Sequence, residues 1–257
     1  MSVTSELRPD GIRVVTMAHP PVNALPVSGW FDVAAAMDEA TADAATRVVI
    51  LRAEGKGFNA GVDIKEMQNT TGFDALIGAN RGCFAAFKAV YECAVPVISA
   101  VNGFCVGGGV GLVGNSDIVV ASDDAYFGVP EVNQGALGAA THMARLVPQH
   151  LMRTLYFTAR TIPAKDLVQH GSVYAIASRD ELDDLALSIA GEVAAKDPRV
   201  IRAAKEALNG IDPIDVNHSY RFEQGFTMEL NLMGASDELR DEFAGTNKAN
   251  QKQEGGA

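Results

Sequence analysis

Apolar residues recur along this chain with two periods, and the switches between them predict most of its elements. Gly11 to Met17 (GIRVVTM) and Arg47 to Ala53 (RVVILRA) are β-branched runs of strand length. Between them, Ser28 is the expected N-cap of a helix running to about Ala45, with Trp30, Phe31, Val33, Ala34 and Met37 on its apolar stripe. His19 to Leu25 (HPPVNAL) has no period and reads as a proline-stiffened loop. After a Glu54–Gly57 turn, Phe58 to Met67 (FNAGVDIKEM) begins as a glycine-containing loop and becomes helical. Gln68 to Asn80 carries Gly72 and Gly78 and reads as a mobile loop, and Arg81 to Glu92 has helical spacing.

The stretch from Val97 to Glu131 is the one around which the rest is arranged. Val97, Ile98 and Val101 predict a buried strand, Asn102-Gly103 a turn, and Asp117 to Ala121 a further strand. Gly107-Gly108-Gly109 lies between them, where backbone must bend sharply or approach another group closely. Bare N–H groups there, with Glu131 beyond the next strand, would suit an anion-stabilising hole beside a proton carrier. Alternating strands and helices predict an α/β fold. After Glu131 the pattern turns helical: Thr141–Leu146, Gln149–Phe157, Pro163–His170, Glu181–Ala195, Pro198–Leu208, Tyr220–Gly234 and Asp237–Phe243, with a short strand at Ser172–Ala177. The expected division is 1–197 as core, 198–246 as a helical region and 247–257 (NKANQKQEGGA) as a disordered tail.

Composition narrows the classes. With 32 acidic against 21 basic residues the net charge is −11, which disfavours nucleic acid and anionic membranes as partners. A polyanionic ligand would need a local basic patch. Cys83, Cys93 and Cys105 show no CxxC spacing and are expected as buried thiols in a reducing cytoplasm. The N-terminus lacks signal-peptide features, and no run reaches the roughly 18 apolar residues a membrane helix needs. No cofactor and no metal are expected.

Two glycine patterns carry candidate chemistry. Gly109-Val-Gly111-Leu-Val-Gly114 matches a dinucleotide fingerprint, but the chain has already turned at Asn102-Gly103, so a chance match among 25 glycines is preferred. Phe58-Asn59-Ala60-Gly61-Val62-Asp63 follows a strand and leads into a helix, with Asp63 as a cap candidate. Paired with the later glycine loop on an adjacent parallel strand, it would aim two N–H groups at one oxygen.

FNAGVDIKEM, AVNGFCVGGGVGL, DIVVASDDAYFGVPE and RAAKEALN, in that order, resemble the crotonase (enoyl-CoA hydratase/isomerase) superfamily across roughly Val14 to Phe243. The resemblance implies a spiral of repeated ββα units with a C-terminal helical trimerisation region, assembled as a trimer or a dimer of trimers. It also implies an acyl-CoA thioester as substrate, coenzyme A being part of that substrate. Ala60 and Gly108 match the amides that hold the thioester oxygen. Ala60, Gly61, Val62, Asp63, Ile64 and Gly108, with Ala24 in the Asn23–Leu25 loop, match the coenzyme A site.

One departure matters. Family hydratases carry two glutamates; the position two residues after the glycine triplet is Gly111 here, and only Glu131 remains. One-carboxylate chemistry is therefore expected, either isomerisation or hydrolysis with Glu131 activating water. Gly111 either leaves room for a bulky acyl group or is small for packing, and Asn133 and His142 are further pocket candidates, His142 read first as a satisfied structural residue. The runs NRGCFAAFKAVYECAVPVI, GALGAATHMARLVPQHLMR and SYRFEQGFTMELNL resemble more narrowly the actinobacterial branch that opens the last steroid ring in cholesterol catabolism. Those enzymes hydrolyse a C–C bond in a bicyclic acyl-CoA. The alternatives are an enoyl-CoA isomerase or hydratase, and a non-catalytic acyl-CoA-binding homologue.

Overall fold

A computed structural model of the chain describes residues 3–240 and Glu242. The expected tail, 247–257, and the end of the last predicted helix at Phe243 lie outside the described residues. Strand β1 (Val3–Leu7) pairs antiparallel with β2 (Ile12–Met17), Val3 opposite Met17. It was not legible, because its exposed edge buries only Val3 and carries no apolar alternation. Helix α1 (Val27–Ala42) follows, then β3 (Val48–Ala53), α2 (Ile64–Asn69) and α3 (Asp74–Tyr91). Next come β4 (Val97–Val101), β5 (Phe104–Val106), α4 (Gly108–Val113), β6 (Ile118–Ser122) and β7 (Tyr126–Gly128). A 3-10 turn at Pro130–Gln134 precedes α5 (Ala140–Met143), α6 (Gln149–Thr158), β8 (Thr161–Pro163), α7 (Ala164–Gln169) and β9 (Ala175–Ala177). The helices α8 (Leu182–Ala194), α9 (Pro198–Gly210) and α10 (Val216–Leu232) complete the order, and residues 235–240 are again helical.

The strands form a six-stranded sheet, β1-β2-β3-β4-β6-β9, and a three-stranded sheet, β5-β7-β8. From β2 to β9 the large sheet is parallel, so helices cover both its faces. Strand β3 shows why its sequence is apolar throughout: Val49, Leu51 and Ala53 enter the core under α1 and α3, while Val48 and Ile50 face Leu182, Ala186 and Ala190 of α8. Each turn of the spiral sends one strand to the large sheet and the next to the small one. After β3 that second strand shrinks to a single bridge, Asn59 to Cys105.

Two local expectations are corrected. Pro26, not Ser28, is the N-cap of α1, and its Val27 N–H donates to the Glu66 carboxylate at 2.7 Å. The cap is thus supplied from α2, which accounts for Glu66. The segment 68–80 is not a single loop, because α3 begins at Asp74. Gly78 lies inside that helix, where a Cβ would come 3.0 Å from Val27 Cγ1, and one on Gly82 would come 2.9 Å from Trp30 Cβ. These glycines permit close helix packing rather than flexibility. The predicted boundary at 197/198 falls at Asp197, whose side chain caps α9, and α10 returns Tyr220 to the main core.

Candidate active site

The loops that end the first two spiral turns are held by buried asparagines. Asn59 donates its Nδ2 to the Asn23 carbonyl (2.7 Å), and its Oδ1 accepts the Gly61 N–H (2.7 Å). Asn23 in turn donates to the carbonyls of Glu54 and Gly57, both at 2.8 Å. The Val106 N–H donates to the Asn59 carbonyl (2.9 Å), so the loop after β3 is tied to β5. With these bonds made, the N–H groups of Ala60 and Gly108 have no acceptor among the described residues. The two loops touch: a Cβ placed on Gly61 would lie 3.4 Å from the Gly108 nitrogen. Gly61 and Gly107 adopt φ of 86° and 57°, values a side chain disfavours.

Glu131 is brought to this place by the small sheet. The Gly107 N–H donates to the Gly128 carbonyl (2.9 Å), pinning the glycine loop to the end of β7, three residues before Glu131. Glu131 Oε1 lies 2.9 Å from where a Gly107 Cβ would be, and Oε2 is buried without a hydrogen-bond partner. Burial pushes this carboxyl up to about 8; its own backbone N–H works against the rise, and the Glu223 charge adds to it. Glu223 comes from α10 and accepts from the N–H groups of Ala140 (3.0 Å) and Thr141 (2.7 Å) and from the Thr141 hydroxyl. Burial holds its carboxyl above the ordinary range as well.

A cavity of about 130 Å³ opens between these groups, room for several atoms beyond the 10–15 Å³ of a single water. Ala60, Gly61, Val62 and Ile64 line one side, Gly107, Gly108 and Glu131 another, and Cys83, Phe87, Leu137, Gly138 and Tyr220 the interior. Arg240 stands among the lining residues with its guanidinium on Asn231 (2.8 Å) and Asp237 (2.5 Å).

Two glycines of the apparent dinucleotide fingerprint, Gly111 and Gly114, serve packing instead, together with Gly108. Gly108, Gly111 and Gly114 recur every three residues on one face of α4 and its cap; the first two each accept a ring, and Gly114 accepts the backbone of His142. A Cβ would meet Trp30 Cη2 at 2.5 Å from Gly108, Phe87 Cζ at 2.2 Å from Gly111 and His142 Cβ at 2.7 Å from Gly114. Trp30 and Phe87 pack edge to face with centroids 5.7 Å apart, and Phe87 and His142 at 4.9 Å. The expected free space at Gly111 is therefore filled by the Phe87 ring. His142 is also corrected: it does not line the cavity but lies behind Phe87, 1% exposed, where burial pushes it down to about 3 and keeps it neutral. Asn133 is exposed on the 3-10 turn and is not among the residues that line the cavity.

Of the residues matched to the coenzyme A site, Ala60, Gly61, Val62, Ile64 and Gly108 line the cavity; Ala24 and Asp63 do not. Asp63 caps α2, accepting from the Lys65 N–H at 2.9 Å, and Ala24 precedes Leu25, which bonds the Gly61 carbonyl. Phe87, Cys83, Tyr220 and Glu223 gave no local signal, since each reads as one more member of a helical stripe. Among the described residues no set of His, Cys, Asp and Glu is arranged to hold a metal, and no helix is long and apolar enough to cross a membrane. The three cysteines are buried free thiols.

A spiral of ββα turns whose glycine loops leave two amides unpaired beside a buried acid defines the crotonase class. The family model for enoyl-CoA hydratase/isomerase matches residues 8–238, and the chain belongs to that family. It is 66% identical over 248 residues, 96% of each chain, to a "(7aS)-7a-methyl-1,5-dioxo-2,3,5,6,7,7a-hexahydro-1H-indene-carboxyl-CoA hydrolase" from Rhodococcus jostii. It is 68% identical to a Mycobacterium tuberculosis protein of the same name, over 95% of this chain and 98% of the relative. A solved enoyl-CoA hydratase/isomerase from Pseudoalteromonas atlantica superposes with a TM-score of 0.84 at 26% identity, covering 96% of this chain and 98% of that one.

Proposed function

We propose that this protein is an acyl-CoA hydrolase that breaks a carbon–carbon bond, opening a ring ketone of a bicyclic, steroid-derived coenzyme A thioester. The reading is supported by relatives named as hydrolases of a bicyclic dioxo-hexahydroindene-carboxyl-CoA, 66% and 68% identical over nearly the whole chain. The observation that carries the mechanism is a lone buried carboxyl, Glu131, with an unpartnered oxygen beside two unpaired amides. Phe87 occupies the place from which a second carboxylate would act.

Ionised Glu131 takes a proton from water, and the hydroxide oxygen adds to the ring ketone carbon. The adjacent C–C bond then breaks, and its electron pair moves through the conjugated system to the thioester oxygen. The Ala60 and Gly108 amides hold that dienolate, each contributing about 3 kcal/mol to the barrier reduction. Glu131 returns the proton to carbon, and the former ketone carbon stays tethered to the opened skeleton as a carboxylic acid, which ionises to solvent. Only water is consumed. Ala24, Ala60, Gly61, Val62, Asp63, Ile64 and Gly108 are assigned to the coenzyme A portion, which belongs to the substrate.

Exposed Phe222, Leu232 and Met233 on and after α10, 65%, 68% and 78% accessible, support assembly as a trimer or a dimer of trimers. Buried, unpaired thiols support a cytoplasmic setting. The test is turnover of the bicyclic thioester in heavy-oxygen water. One heavy oxygen in the new carboxylate is expected; a product without label defeats the hydrolase reading.

A further inference from the structure

The cleavage generates charge at two oxygens in succession, and the amides of Ala60 and Gly108 serve only the second. When water adds to the ring ketone, the carbonyl π pair moves onto the ketone oxygen before any charge reaches the thioester. A buried alkoxide of that kind needs its own donor. Among the buried side chains lining the cavity, two carry a hydroxyl, Thr227 and Tyr220. The Thr227 hydroxyl is committed, donating to the Leu137 carbonyl at 2.6 Å and accepting its N–H at 2.9 Å.

Tyr220 is differently placed. It is 7% exposed, and its ring packs against both Phe87 and His142, with centroid distances of 5.1 and 5.0 Å, in a cluster of three mutually touching rings. A Cβ on Gly138 would lie 3.7 Å from Tyr220 Cε2, so the ring is also held against the lining backbone. This packing fixes the ring, and the hydroxyl lies against Gln224 and against Cys83, itself a lining residue of the cavity. His142 thereby acquires a purpose its burial alone does not explain, as one ring of the cluster that holds Tyr220.

We propose that the Tyr220 hydroxyl is a second oxyanion donor, holding the ring-ketone oxygen while water adds; this rests on the hydrolase reading above. The phenol donates a hydrogen bond to the alkoxide and keeps its proton. The alkoxide then re-forms the carbonyl as the C–C bond breaks, and the electron pair passes to the thioester oxygen. Burial pushes the phenol well above its ordinary range, with Cys83, Glu223 and Glu131 adding to the rise and the hydrogen bond with Gln224 working against it, so it remains a neutral donor across physiological pH.

Tyr220→Phe in the full chain is expected to lower turnover of the bicyclic thioester about 100-fold. Its affinity for crotonyl-CoA, which has no ring ketone, should stay within about twofold, showing an intact site. In a Glu131→Gln background, where substrate is not consumed, the ketone-bearing thioester should bind about tenfold tighter than its methylene analogue, and adding Tyr220→Phe should abolish the preference. Turnover by Tyr220→Phe within about threefold of wild type, or a preference that survives it, overturns the role of Tyr220 and leaves the hydrolase reading standing. If Tyr220→Phe does not fold, equal binding of the two thioesters by Glu131→Gln alone overturns it. Wild type that leaves the ring closed overturns both.

Discussion

Replacing Glu131 with glutamine should stabilise this protein at alkaline pH while removing its activity. The carboxyl ordinarily titrates at 4.5 and is pushed up to about 8 in the fold, chiefly by burial. A raised carboxyl pKa means that the folded state binds the proton more tightly than the unfolded chain. The folded state is therefore favoured below about 4.5, and that advantage disappears as pH rises through 8. At about 1.36 kcal/mol per pH unit, the ionised carboxyl costs about 1 kcal/mol at pH 5 and between 4 and 5 kcal/mol at pH 8.5. Glutamine carries no such dependence, so the stability gap between variant and wild type should widen by about 4 kcal/mol across that range. Urea unfolding of both proteins at pH 5.0 and 8.5, at one protein concentration, measures the gap directly, because every other titrating group is common to both. A gap that moves by less than about 1 kcal/mol refutes the burial argument and, with it, the picture of Glu131 as a base kept poised by desolvation. The same ionisation sets activity. Free-enzyme kcat/KM should rise with pH to a midpoint near 8, and Glu131→Gln should lose at least about 100-fold in turnover.

Gly108→Ala places a methyl 2.5 Å from the ring of fully buried Trp30; about 1–3 kcal/mol of stability and 10²–10³ in turnover should be lost together, read by thermal melting and kcat. Glu223→Gln keeps one of the two acceptor oxygens that serve Ala140 and Thr141 and removes a negative charge that raises Glu131, so the rising limb of the pH profile should move to lower pH; an unmoved limb removes Glu223 from the electrostatics. Lys205→Met strips Asp117 of the ammonium it contacts at 2.7 Å, while Asp117 still accepts the Val97 N–H that starts β4. About 3 kcal/mol of stability should go, measured by urea midpoint, with coenzyme A affinity retained.

Much of the architecture was legible because periodicity reports burial. The unbroken apolar runs of β3 and β4 announced strands covered on both faces, and the amphipathic spacing of α1 and α8 announced helices over them. Strands β5, β7 and β8 are three residues each, too short for any period to register, yet they bring Glu131 to the glycine loop. The start of α3 was hidden by Gly72 and Gly78, which a linear reading takes as flexible. Flexibility and close approach call for the same residue, and only the neighbour tells them apart.

The chain's own order of residues determined that strands and helices alternate, that glycine-rich backbone would stand bare after two neighbouring strands, and that one acid, Glu131, would follow. Those are local matters, set by side-chain shape and backbone freedom a few residues at a time. What leans on each glycine was decided only by folding. Trp30 against Gly108, Phe87 against Gly111 and His142 against Gly114 join segments far apart in the chain. The depth of the cavity, the neutrality of His142, the raised carboxyl of Glu131 and the seat of Tyr220 all follow from that packing. Exclusion of water is a property of the assembled interior, and no short stretch of sequence encodes it.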